Sequence, residues 1–296
     1  MEATLTSTCN QWSLPLRFIF LFFIAGFCWL LDSRFDNNLS LAVVLTLSLP
    51  HYAFALVYRY RAKGLSGRQA GFYALALAVL FTGTALLPIE AYIGVVAIYF
   101  VVHHLLDEDF LSDVRSSQRV WLRILPVILI YASYYTCLLT GLSFRWSWAA
   151  GYASLVLTAA WLLSLLLARH KWQLLDYYHL AIYGLSYSFV YAGLALHQKA
   201  LFEPLHFLVL CHVMNWYVHQ TLKLHFSQRN AKAFMKEVVY ANLLSVALFI
   251  AYYGHKDSLG YAGYLIGLFY QPLYFYVWTL FHFLTSVRRS DFQVTL

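Results

Sequence analysis

The chain has 296 residues, of which 61% are hydrophobic, 19% aromatic and 11% charged. Soluble domains carry about 25% charged residues, so this composition excludes a water-soluble globular protein and predicts an integral membrane protein. The formal net charge of +7 is assigned to orientation in the membrane, and no nucleic-acid partner is predicted.

Apolar segments long enough for transmembrane helices, which need about 20 residues, follow one another along the whole chain. Backbone polar groups must be hydrogen-bonded internally in lipid, so such runs predict helices. The segments cover residues 15–32, 39–60, 70–88, 91–110, 121–140, 147–169, 178–197, 203–223, 237–254 and 261–286. The last contains Pro272, where the helix can kink. We predict an all-α polytopic transmembrane helix bundle of about ten helices, forming a single membrane domain over residues 1–296.

The positions of lysine and arginine predict how this bundle is oriented. With both the N-terminus and the C-terminus in the cytoplasm, most of the 20 basic residues fall on the cytoplasmic side, as the positive-inside rule requires. Arg17, at the start of the first predicted helix, is counted among them. The predicted location is therefore multi-pass, in a membrane such as the bacterial cytoplasmic membrane.

The 12 histidines are unusual for so apolar a chain. Several lie inside predicted helices, in the cytoplasmic half of the membrane, where ionisable side chains are costly and usually face a bundle interior or a cavity. Neutral imidazole is the commonest metal ligand in proteins, and imidazoles with a few carboxylates suit iron, zinc or copper. We predict a metal site formed from the seven histidines of that half, which are His51, His103, His104, His179, His212, His219 and His282.

Spacing on the fourth and eighth helices adds candidate catalytic residues. His103 and Asp107 share a helix face at i,i+4, so Asp107 is predicted to be a co-ligand or a carboxylate that orients an imidazole. On the eighth helix, His212, Asn215 and His219 form a stripe whose ends lie about 10 Å apart. Either two ions are bound, or one of these histidines supports the site or binds substrate. Asn215 and His219 are therefore candidate catalytic groups.

Three short segments carry a resemblance to a known family. They are LPHY at residues 49–52, HHLLD at 103–107 and HVMNW at 212–216, and they resemble motifs of the Brp/Blh family of membrane carotene-cleaving oxygenases. The resemblance implies a non-haem iron that histidines hold inside a helical bundle, with dioxygen acting on an apolar substrate. It implies ligand roles for His51, for His103 or His104, and for His212. The family pattern also has a histidine one turn after His212, where this sequence has Trp216.

The predicted function is a membrane-embedded, metal-dependent oxygenase or related oxidoreductase. Its substrate would be a carotenoid or another lipid-soluble molecule that enters from the membrane lipid, with dioxygen as the second substrate. Non-haem iron is the expected cofactor, and zinc is the alternative. Two other functions stay open: a proton-coupled transporter or binding protein with a histidine-lined polar cavity, and a haem-binding cytochrome.

Overall fold

The computed structural model describes residues 2–34, 37–63, 66–111, 120–195, 204–227, 230–255 and 257–286. This part of the chain forms eleven α-helices and contains no β-strand, which confirms the prediction of an all-α protein. Met1 and residues 287–296 lie outside the described residues, so the cytoplasmic position of the two termini stays a prediction.

The helices coincide with the predicted apolar segments to within a few residues at most ends. α1 begins well before predicted residue 15, since an apolar window detects only the part of a helix that suits lipid. The bounds are α1 Glu2–Arg34, α2 Asn37–Lys63, α3 Gly67–Gly83, α4 Ile89–Leu111, α5 Val120–Thr140, α6 Arg145–Leu167, α7 Leu174–Ala195, α8 Pro204–Phe226, α9 Ala231–His255, α10 Tyr261–Tyr270 and α11 Pro272–Ser286.

The tenth predicted helix is divided into two at Gln271, whose backbone is extended (φ −73°, ψ 137°). Pro272 explains the division, because its ring disfavours the helical conformation of the preceding residue. Proline also lacks the N–H that would bond to the carbonyl of Leu268 in a continuous helix. The indole Nε1 of Trp278 donates to that carbonyl instead, at 2.9 Å. The expected kink is therefore a complete break in the helix, and a tryptophan side chain satisfies the carbonyl that the break leaves without its backbone donor.

Four helices in the described part of the chain contain segments long and apolar enough to cross a membrane. These segments are Trp12–Leu30, Leu122–Thr140, Arg145–Leu167 and Ala231–His255. α6 shows the pattern of a lipid-embedded helix, with Ser147, Gly151 and Ser154 buried while Leu163 and Leu167 are exposed. Small residues at helix contacts and large apolar residues outside are typical of packing in membranes. The chain has the helices of a membrane protein, and the count of about ten spans stays a prediction.

The structure divides into two compact units. Among the described residues, the first contains those up to Ser40 and those from Ala97 to Ala231, and the second contains those from Leu41 to Val96 and from Lys232 to Ser286. In the first unit α1 packs against α7 and α8, and α5 packs against α6 and α7. In the second unit α11 packs against α3 and α10. Each unit contains some of the predicted ligands, and the two groups are described separately.

Candidate functional site

In the first unit, α4 carries two histidine–carboxylate pairs, which lie on adjacent faces of the helix. His103 and Asp107 form one i,i+4 pair and His104 and Glu108 the other, and successive positions differ by about 100° around the helix axis. The side chains of His104 and Glu108 are fully buried, whereas that of Asp107 is 22% exposed. The two pairs therefore meet different partners.

Glu108 is the acceptor in a buried network that joins four helices. Nη1 of Arg17, on α1, donates to Glu108 Oε2 at 2.8 Å, and neither side chain is exposed. Nδ2 of Asn215, on α8, donates to Glu108 Oε1 at 2.7 Å and to the hydroxyl of Tyr178, on α7, at 2.6 Å. The guanidinium of Arg17 also lies 5.8 Å from the centre of the Tyr178 ring, within cation–π distance. Both carboxylate oxygens of Glu108 are thus engaged.

His212, on α8, lies beside the other pair of α4 residues. Its Nδ1 is 3.6 Å from Asp107 Oδ2. Its ring centroid is 5.0 Å from that of His103 and 5.7 Å from that of His104. The ring of Phe100, one turn earlier on α4, stacks parallel to His104 and meets His212 edge-on. The first unit therefore brings three of the predicted imidazole ligands and Asp107 together.

Two ring separations in this group, His103–His212 at 5.0 Å and His104–His212 at 5.7 Å, are near those of two imidazoles that bind one metal ion. Ligand atoms that each lie about 2.1 Å from one ion are about 3–4 Å apart, and the centroids of two ligating imidazoles are about 5 Å apart. In the described residues, neither ring nitrogen of the fully buried His104 has a hydrogen-bond partner. A buried polar group without a partner costs about 1–3 kcal/mol, and an ion bound at one of these nitrogens would remove that cost.

The structure places the two predicted catalytic residues of α8, Asn215 and His219, at different distances from His212. Asn215 belongs to the group, but its amide is engaged by Glu108 and Tyr178, so it holds the carboxylate in position. His219 is buried two turns beyond His212, about 10 Å along the helix axis. His219 is therefore too far along α8 to share an ion with His212.

The second unit holds two more of the candidate ligands, His51 on α2 and His282 on α11. Their ring centroids are 5.0 Å apart, and each offers a ring nitrogen within 4.8 Å of the other's. Both side chains are buried. The ring of Tyr52 stacks on His282 at 4.6 Å, and its hydroxyl shares a hydrogen bond of 3.0 Å with Oγ1 of Thr279. The pair has the spacing of two imidazoles that ligate one ion, about 5 Å between centroids.

His282 also borders an apolar cavity of about 370 Å³ within the second unit. The wall is formed by α2, α9, α10 and α11, and it includes Leu49, Leu248 and Phe281. The polar groups of Tyr52, His282 and Thr285 also belong to the lining. Ligand pockets are typically about 300–1,000 Å³ and mostly apolar with a few polar groups. The cavity therefore has the size and lining of a site for an apolar molecule.

The structure adds functional candidates that the sequence analysis missed, chiefly Arg17 and Tyr178. Arg17 was assigned to the cytoplasmic surface, but its side chain is fully buried within the candidate span Trp12–Leu30. The sequence contained one signal for this pair: a cation, Arg17, lies inside one apolar segment, and a carboxylate, Glu108, lies inside another. Sequence spacing could not reveal the pair, because 91 positions separate the two residues.

The fold and these groups define an all-α membrane protein with buried histidines in each of its two units. No protein-family model, no characterised protein and no solved structure matches the chain. The resemblance to the Brp/Blh family rests on the three short sequence segments and stays a prediction.

Proposed function

We propose that the protein is a membrane-embedded, metal-dependent oxygenase or related oxidoreductase that acts on a lipid-soluble substrate. The observation that carries this proposal lies in the second unit, where His282 both contacts a second buried imidazole and borders an apolar cavity. Oxidation of an apolar molecule at a bound metal needs a ligand group beside an apolar cavity, and the position of His282 supports this arrangement.

The proposed metal ligands form a separate group of imidazoles in each unit, with His103, His104 and His212 in the first, and His51 and His282 in the second. Their chemistry fits iron, because imidazole ligands with few carboxylates bind iron and leave coordination positions open. A non-haem iron held by these imidazoles would supply a redox centre for the activation of dioxygen. Zinc also accepts nitrogen ligands, and a zinc-containing protein would instead be a membrane hydrolase.

The surrounding side chains position these imidazoles and exclude water. Tyr52 packs flat against the ring of His282, and its hydrogen bond to Thr279 restrains it in that place. Leu248 and Phe281 contribute apolar surface to the cavity, which would take part of a carotenoid or another lipid arriving from the membrane. In the first unit, Asp107 faces His212.

A proton-coupled transporter or binding protein is the second candidate function. The observation that favours it is the ion pair of Arg17 and Glu108, which is fully buried and has one partner inside a candidate membrane span. Ionisable residues inside membranes often mark proton or substrate pathways. Metal content separates this candidate from the first, because a proton pathway needs no iron.

Elemental analysis of the detergent-purified protein, with an absorption spectrum of the same sample, tests the proposal. We expect near-stoichiometric iron without a haem band, and loss of iron in His212→Ala and His282→Ala. His170→Ala is the matched control, because His170 pairs with Asp176 at 2.9 Å and is not a proposed ligand. Wild-type protein that contains no metal after expression with added iron would refute metal dependence and favour the transporter.

A protein that contains iron should also consume oxygen. We expect oxygen uptake when a carotenoid or another lipid-soluble polyene is added in detergent, and none with the His282→Ala variant. An iron-loaded wild-type protein that consumes no oxygen with any such substrate would retain the metal site but lose the oxygenase assignment.

A further inference from the structure

The two neighbouring carboxylates of α4 stand in the same relation to two different imidazoles. Asp107 Oδ2 is 3.6 Å from Nδ1 of His212, and Glu108 Oε1 is 3.9 Å from Nδ1 of His104. In both cases the ring nitrogen beside the carboxylate is Nδ1, which leaves Nε2 on the other side of the ring. Both separations are longer than a hydrogen bond, and each ring must move about 1 Å toward its carboxylate to form one. A carboxylate that accepts from one nitrogen of a histidine holds the proton there and leaves the lone pair on the other nitrogen.

The position of Glu108 excludes it as a metal ligand. Its Oε2 accepts from Arg17 at 2.8 Å and its Oε1 from Asn215 at 2.7 Å. Moving the carboxylate onto an ion would break these bonds and strip a fully buried arginine of its counter-charge. Glu108 therefore faces His104 as a fixed acceptor, held by residues of α1 and α8.

We infer that Asp107 and Glu108 are a pair of positioning carboxylates, which keep the protons of His212 and His104 on Nδ1 so that both rings present Nε2 to a metal. Arg17 and Asn215 fix Glu108 for this task. The role of Nε2 rests on the proposed metal-dependent function, whereas the position of the proton is a property of the chain itself. Asp107 thus orients its histidine and does not ligate the ion. Both separations should shorten to hydrogen-bond length, about 2.8 Å, when Nε2 is ligated.

The proton positions can be measured without any metal. Protein labelled with ¹⁵N in its histidine rings is treated with chelator, and nitrogen–proton correlation spectra distinguish rings protonated on Nδ1 from rings protonated on Nε2. The signals of His104 and His212 are assigned by their loss in His104→Gln and His212→Gln. We expect both rings to carry the proton on Nδ1. Protonation of either ring on Nε2 in the wild-type protein would overturn the inference.

The isosteric variant Asp107→Asn then separates orientation from ligation, with Co²⁺ as the probe. Loss of a group that orients a metal-binding histidine typically weakens metal affinity about 10- to 100-fold. We expect that weakening, with the visible absorption bands of bound Co²⁺ unchanged, because the ligands themselves are the same. Asp176→Asn is the matched control, since Asp176 contacts His170 at 2.9 Å, and it should leave Co²⁺ affinity unchanged.

The outcomes distinguish this inference from the proposed function. Shifted Co²⁺ bands or complete loss of binding in Asp107→Asn would show that Asp107 is itself a ligand and would overturn the inference, while the metal site stands. Wild-type protein that binds no Co²⁺, yet carries the Nδ1 protons on His104 and His212, would support the positioning role of the carboxylates and refute the metal-dependent function.

Discussion

Arg17→Met replaces one partner of the buried ion pair by an apolar side chain of similar length. Glu108 then keeps its hydrogen bond from Asn215 at 2.7 Å but loses the guanidinium that lies 2.8 Å away. Neither side chain is exposed, so water cannot solvate the remaining carboxylate. Removal of one partner of a buried pair costs about 3–5 kcal/mol, and we expect the free energy of unfolding to fall by that amount.

The double variant Arg17→Met/Glu108→Met removes both charges, and it should recover most of this loss. Apolar residues that replace a buried ion pair are often neutral or stabilising by about 1–4 kcal/mol. Asn215 loses one acceptor, worth about 1 kcal/mol, and keeps its bond to Tyr178 at 2.6 Å. We therefore expect the double variant to lie within about 2 kcal/mol of wild type, although each single variant is far less stable.

Reversible unfolding in mixed micelles, with SDS as denaturant and tryptophan fluorescence as the signal, measures these free energies. Chelator is present throughout, so that metal binding does not contribute. Arg145→Met is the control, because Arg145 is exposed at the start of α6 and its replacement should change stability by less than about 0.5 kcal/mol. A double variant as unstable as the sum of the two single variants would refute the reasoning, because it would show that the charges do not interact.

Two further predictions concern packing and the cavity. A Cβ on Gly151 would lie 2.7 Å from the ring and hydroxyl of Tyr191, so Gly151→Ala should cost about 1–3 kcal/mol by overpacking. Gly184→Ala is the control, because a Cβ there would meet no atom within 4 Å, and it should lower the melting temperature much less. Equal losses of melting temperature would contradict the close packing of Gly151 against Tyr191. Leu248→Trp should fill the cavity and weaken the binding of parinaric acid, a fluorescent polyene. Leu243→Trp, at an exposed position of the same helix, should not, and equal effects would mean that the probe binds elsewhere.

The helices could be predicted from the sequence because the physical cause is local. A run of apolar residues long enough for the bilayer must satisfy its backbone internally, and the observed helices follow those runs. The division at Gln271 was only partly predicted. Pro272 indicates a weak point, but a complete break also needs a donor for the carbonyl of Leu268, and Trp278 supplies it from the following helix. That contact depends on how α10 and α11 pack.

The candidate site was predicted in its residue types but not in its connections. The i,i+4 spacing places His103 and Asp107 on one face of α4, because helix geometry fixes that relation, but Asp107 also lies 3.6 Å from His212 of α8. Which carboxylate meets an arginine, and which meets His212, depends on the packing of α1 and α8 against α4. Arg17 could not be assigned from sequence, since an arginine at the start of an apolar run is equally compatible with the membrane surface.

The closed hydrogen bonding around Glu108 bears on the choice between the two candidate functions. A proton pathway needs groups that can take up and release a proton in succession, but arginine does not deprotonate in proteins and a side-chain amide has two N–H donors that are not acidic. Arg17 and Asn215 engage both oxygens of Glu108 at 2.8 and 2.7 Å. These two partners therefore hold the carboxylate in one position. The network is therefore better explained as a fixed link between helices than as a route for protons, which agrees with the proposed metal-dependent function.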